Sequence, residues 1–111
     1  MDRKRLVIVL TCALVLCLTT VSVALAERGV TETEIRIGQW GPQTGPAALW
    51  GAVARGTGCY FDMINAEGGI HGRKIEFIYR DDQYNPAKTP AVVRELVEKE
   101  KVFAIIGGIG T

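Results

Sequence analysis

Residues 35–51 read Ile-Arg-Ile-Gly-Gln-Trp-Gly-Pro-Gln-Thr-Gly-Pro-Ala-Ala-Leu-Trp-Gly. Ile35 and Ile37 alternate with polar neighbours, which is the period of a strand. Gly41, Pro42, Gly45 and Pro46 then interrupt regular structure, and a helix is expected to start near Ala47. A loop of this kind lies at the carboxyl end of its strand, where open α/β sheets bind ligands. Two readings of Trp50 follow: it walls a small-molecule site, or it covers the top of a core.

Downstream, the pattern repeats. The first helix is expected over Ala47–Asn65, with Val53, Thr57, Tyr60 and Ile64 on its apolar face. Gly51, Gly56 and Gly58 weaken that helix and point to close packing on a sheet. Gly68 and Gly69 stop it, and His71 falls in the following turn as an exposed residue. A second strand, Lys74–Arg80, carries Ile75, Phe77 and Tyr79 on one phase and mostly charges on the other, which suits a sheet edge. Asn85 and Pro86 are read as the cap and first position of a second helix reaching Lys99. Its buried stripe is Thr89, Val92, Val93, Leu96 and Val97, with an Arg94–Glu98 pair on the wet face. The third strand, Phe103–Ile106, has no polar residue and suits a central parallel position. Together these make an α/β fold, a parallel right-handed βαβαβ unit with expected strand order 2-1-3. That order brings the loop Trp40–Trp50 and the loop Gly107–Thr111 together over one end of the sheet.

Upstream of the unit, Arg3, Lys4 and Arg5 precede an uncharged apolar run over residues 6–24, and Ala24 and Ala26 offer a cleavage site. Residues 1–26 are therefore read as a secretory signal cut before Glu27, which predicts a periplasmic location. The alternative is an uncleaved membrane anchor. Cys12 and Cys17 follow Thr11 and Leu16, not the small residue that a lipidation signal requires. Without Asp2, Arg3, Lys4 and Arg5 the formal charge falls from +1 to −1, and no basic stripe is left to bind nucleic acid. Cys59 is then the one remaining thiol of residues 27–111, read as a small buried residue or as the partner of a cysteine elsewhere. The sequence closes on an apolar strand and a new loop, so residues 27–111 are expected to be an incomplete amino-terminal lobe.

No catalytic or cofactor pattern emerges. The dinucleotide fingerprint and the phosphate loop of nucleotide hydrolases are absent, and no nucleophile–base pair can be assigned. Asp81 and Asp82 are read as acceptors for loop amides rather than as a metal or phosphoryl site. The glycines of 107–110 allow close approach to backbone N–H groups. No metal, cofactor or catalytic residue is expected.

Several segments carry a resemblance: Ile35-x-Ile-Gly38, Thr44-Gly-Pro-Ala47, Trp50-Gly51, Ile64-Asn-Ala-x-Gly-Gly-Ile-x-Gly-Arg-Lys-Ile75, Asp81-Asp82 with Pro86, and Leu96-Val97 through Gly107. In that combination, residues 33–111 resemble the amino-terminal part of type I periplasmic solute-binding proteins of ATP-driven importers, in the leucine/isoleucine/valine-binding branch. The resemblance implies a two-lobed fold of which part of the first lobe is present, and no enzymatic activity. It implies a monomer that captures an amino acid or a related small organic acid or amide and delivers it to a membrane ABC permease. It puts Trp50, Gly110 and Thr111 in the ligand site. Gly-Gly-Ile-Gly-Thr stands where the branched-chain binders carry a serine-rich loop, and Trp40 and Gln43 replace smaller or apolar residues. Both departures count against an aliphatic amino acid as ligand. The alternatives are a ligand-binding sensory domain on a membrane-anchored receptor and a secreted α/β enzyme.

Overall fold

The computed structural model describes residues 2–3 and 27–110. Apart from residues 2 and 3, the signal-segment readings for 1–26, with Cys12 and Cys17, lie outside the described residues, as does the placement of Thr111. The ordered elements are β1 (Glu34–Gly41), a 3-10 turn (Ala48–Gly51), α1 (Ala52–Ala66), β2 (Lys74–Asp81), α2 (Thr89–Arg94) continued by a π turn (Glu95–Lys99), and β3 (Ala104–Ile105). The strands form one parallel sheet in the order β2-β1-β3, as the crossover rule requires. β2 lies at an edge, as its charged phase predicts. β3, expected at the centre, pairs on one side only among the described residues and holds just two residues in register, Ala104 on Ile37 and Ile105 on Gly38.

Each face of the sheet is built around a gap in the side-chain pattern. On one face, Gly38 of β1 carries no side chain, and a Cβ there would stand 3.3 Å from Leu96 and Val102. Those two residues are buried and form the core beneath α2. On the other face, Gly58 of α1 leaves room for the Phe77 ring, 3.5 Å from where a Cβ would be. Phe61 meets the same ring edge-on, with centroids 5.4 Å apart. Asn65 then locks the helix end to β2, accepting from Ile75 N–H at 2.7 Å and donating to its carbonyl at 2.8 Å.

These contacts rotate α1 away from the expected face. Its inward side is Ala54, Gly58, Phe61 and Asn65, whereas Val53 and Tyr60 point to solvent. Cys59, expected to be buried, is exposed for the same reason. Gly69 supplies the stop, with φ +79° and its N–H on the Ile64 carbonyl at 2.9 Å. His71 sits exposed in the turn that follows.

The second helix begins three residues later than expected. Asn85 accepts from Ala87 N–H at 2.9 Å and so caps a turn, and α2 starts only at Thr89 with Pro90 in its first turn. The π turn after Arg94 shifts the stripe, leaving Leu96 fully buried but Val97 exposed. Arg80 of β2 pins this turn through Glu95 at 3.1 Å and Glu100 at 2.6 Å. Ahead of β1, the Thr31 hydroxyl accepts from Glu34 N–H at 3.0 Å and closes a turn.

Candidate functional site

Strand alternation sends Gly38 and Trp40 to the α2 face and Gln39 to the α1 face. At the carboxyl end of β1 both residues reach the loop after β3. Gln39, 1% exposed, donates from Nε2 to the Gly107 carbonyl at 2.7 Å, and its Oε1 has no partner among the described residues. On the other face the Trp40 ring lies against Gly108 and Gly110. A Cβ on Gly108 would fall 2.6 Å from the ring, and one on Gly110 would fall 3.0 Å from it. Ile109 N–H donates to the Trp40 carbonyl at 3.2 Å. The two loops therefore meet, and glycine is what lets the backbone lie flat on the indole.

The exit of β2 closes the arrangement. Asp81 accepts from Gln43 N–H at 2.8 Å, from the Thr44 hydroxyl at 2.6 Å and from Gln83 N–H at 2.9 Å. Burial opposes its charge, but these bonds outweigh that and hold its carboxyl below the usual range. Asp82 is 1% exposed and accepts from Tyr84 N–H at 3.0 Å and from the Thr89 hydroxyl at 2.7 Å. Both carboxylates thus serve loop amides and hydroxyls, and among the described residues no cluster could hold a metal ion. Gln83 and Tyr84 both have φ of +57°, a left-handed conformation that non-glycine residues rarely adopt. It turns the Tyr84 ring edge-on against Trp50, with centroids 5.6 Å apart.

Between these parts lies an open hollow of about 500 Å³. Its walls are Trp40 and Gly110 from the two loops, Asp82, Tyr84 and Pro86 from the β2 exit, and Thr89, Pro90 and Val93 from α2. The volume falls within the range of small-molecule sites. Gly110 lines it directly. Trp50 does not; it remains 56% exposed and adjoins the hollow through Tyr84. Tyr79, at the other side of the β1 end, has a buried hydroxyl with no partner among the described residues. Burial, then Asp81 and Asp82, push its pKa up to about 12.

Trp40 as a wall is legible in the sequence once β1 is given its phase. The contribution of α2 is not, because Pro90 and Val93 enter only through the crossover that lays α2 over Gly38.

Residues 34–111 match the model of a family described as periplasmic binding protein. A protein of Pseudomonas aeruginosa named "Amino acid binding protein" is 39% identical over 75 residues, covering 67% of this chain and 20% of that protein. The isoleucine complex of the branched-chain amino acid transporter substrate binding protein LivJ from Streptococcus pneumoniae superimposes with a TM-score of 0.64. It is 34% identical and covers 68% of this chain and 22% of its own. A fatty acid ABC transporter substrate-binding protein from Thermomonospora curvata gives a TM-score of 0.65 at 34% identity, over 70% of this chain and 20% of its own. The chain spans about a fifth of the length of the relatives it matches. Sheet order, loop placement and family match agree: this chain belongs to the periplasmic binding proteins, with the type I fold.

Proposed function

We propose that this chain forms part of the first lobe of an extracytoplasmic solute-binding component of an ABC importer. Its solute is an amino acid or a related small organic acid or amide, passed on to a membrane permease. Residues 1–26 are the export signal in this reading. The observation that carries the proposal is the junction of the β1 and β3 loops, with Gln39 on Gly107 at 2.7 Å and the Trp40 ring laid over Gly108 and Gly110 beside a hollow of about 500 Å³. Such a site needs aromatic and apolar walls and a few backbone donors, and no bond-breaking machinery. A second lobe closing over it supplies the other half of the contacts. Trp50 covers the rim through Tyr84, and Gly110 and Thr111 offer main-chain and hydroxyl groups to the polar end of the solute.

The test is calorimetric titration of the two-lobed protein with leucine, phenylalanine, benzoate and an aliphatic amide. At least one is expected to bind, and Trp50→Ala is expected to weaken that binding by at least about 1 kcal/mol, the lower range for an aromatic anchor. Unchanged affinity in the variant removes Trp50 from the site. Conversion of a bound compound during long incubation would reject the binding-protein reading in favour of an enzyme.

A further inference from the structure

Gln39 is 1% exposed, yet its side-chain hydrogen bond goes to an exposed loop residue. Nε2 donates to the Gly107 carbonyl at 2.7 Å, and Oε1 has no partner among the described residues. The amide is fixed in this sense, because turning it over would set oxygen against the carbonyl oxygen. A buried acceptor without a donor costs more than a bond to a neutral carbonyl returns. An apolar side chain of the same length would therefore suit the fold at least as well. Gly107 is exposed, so its carbonyl finds water when Gln39 is lost. Packing alone gives no reason for an amide at this position.

What the amide does is fix one peptide unit. Gly107 follows β3 in a left-handed conformation, with φ +55°. An added Cβ would stand 2.8 Å from Nε2, so the glycine lies flat on the amide. The peptide unit is planar and trans, and its carbonyl points at Gln39, so the orientation of the whole 107–108 unit is set, with the Gly108 N–H facing away. From there the backbone crosses to the Trp40 ring at Gly108 and Gly110, and Ile109 N–H reaches the Trp40 carbonyl at 3.2 Å. Gln39 and Trp40 leave opposite faces of β1, so the loop is held from both sides of one strand. Gly110, which lines the hollow, lies three residues beyond the pinned carbonyl.

We propose that Gln39 is a positioning residue of the solute site: without touching the solute, it holds the 107–110 loop through Gly107 where Gly110 lines the hollow. This rests on the solute-binding reading and adds to it a buried residue that sets affinity from beneath the loop.

The experiment uses the two-lobed protein and whichever of leucine, phenylalanine, benzoate and the aliphatic amide binds it. Gln39→Met keeps the length of the side chain and removes the donor. Its thermal unfolding midpoint is expected to equal or exceed that of the wild type, while its dissociation constant rises at least tenfold. Hydrogen exchange at the Ile109 amide is expected to quicken at least tenfold in the same variant, with the amides of α1 unchanged. Gln39→Glu separates the donor from the shape. Its carboxyl donates to Gly107 only while protonated, and burial raises the pH at which that proton leaves. The ratio of its dissociation constant to that of the wild type is expected to approach one at low pH and to grow as the carboxyl ionises. Titration of the solute or of the second lobe cancels in that ratio. A methionine variant that binds as tightly as the wild type overturns the proposal and leaves the solute-binding reading standing. So does one whose unfolding midpoint and affinity fall together, which makes Gln39 part of the fold, or a glutamate variant whose ratio ignores pH. If none of the four compounds binds the wild type, the solute-binding reading fails and this proposal fails with it.

Discussion

Replacing Asp82 tests whether the acidic pair at the β2 exit is structural. Its carboxylate is 1% exposed and has two partners, Tyr84 N–H at 3.0 Å on Oδ1 and the Thr89 hydroxyl at 2.7 Å on Oδ2. Asp82→Ala removes both acceptors. A hydrogen bond to a charged group contributes about 1.5–3 kcal/mol, and a stranded buried donor costs about as much. Thr89 has a second acceptor in the Asn85 carbonyl at 3.2 Å, so its loss is partly offset. The net cost is then about 2–3 kcal/mol, mostly from the orphaned Tyr84 N–H and the released left-handed turn. Asp82→Asn keeps the oxygen that faces Tyr84. Its new NH₂ donates to the Thr89 oxygen, while that hydroxyl turns to Asn85. The expected cost is below about 1 kcal/mol. Urea unfolding followed by circular dichroism reads the difference. With a slope of about 1 kcal/mol/M, the alanine midpoint falls by about 2 M and the asparagine midpoint by under 1 M. Equal losses for both variants would mean that the charge itself matters, as at a metal or phosphoryl site, and would refute the argument from loop amides.

Three further outcomes follow from the same geometry. Gly108→Ala forces the Trp40 ring aside, because the new Cβ falls 2.6 Å from it; a loss of about 1–3 kcal/mol and a red-shifted tryptophan emission are expected, and unchanged emission would refute the contact. Tyr79→Phe removes a buried hydroxyl without a partner, so stability at neutral pH should hold or rise by about 1 kcal/mol. Because folding raises the Tyr79 pKa from 10 to about 12, the unfolded chain ionises first and the wild type loses stability as pH rises from 10 through 12; the phenylalanine variant should lack that alkaline loss. Asp81 behaves in the opposite sense: its pKa is lowered on folding, so its contribution is present above the ordinary value of 3.8 and is lost as pH falls below it. Asp81→Asn should flatten the acid limb of a stability–pH profile, and an unaltered limb would remove Asp81 as its source.

The sequence by itself determined the order and type of the elements, the parallel topology and the two loops that meet. Ile35 and Ile37, the Gly/Pro punctuation and the crossover rule suffice for that, because strand period and handedness are local properties. The acidic pair was legible as well, since Asp81 and Asp82 lie within reach of the amides that follow them. Only the tertiary structure decided which side of α1 faces inward. Val53 and Tyr60 satisfy the helical period, but Phe77 needs the space at Gly58 and Ile75 needs both ends of the Asn65 amide. That demand comes from another strand, and it turned the helix, exposed Cys59 and left Val53 and Tyr60 outside. The walls of the hollow were decided in the same way. Trp40 and Val93 lie far apart along the chain, and what joins them is the bare backbone of Gly38, which lets α2 settle on the sheet close enough to reach the end of β1.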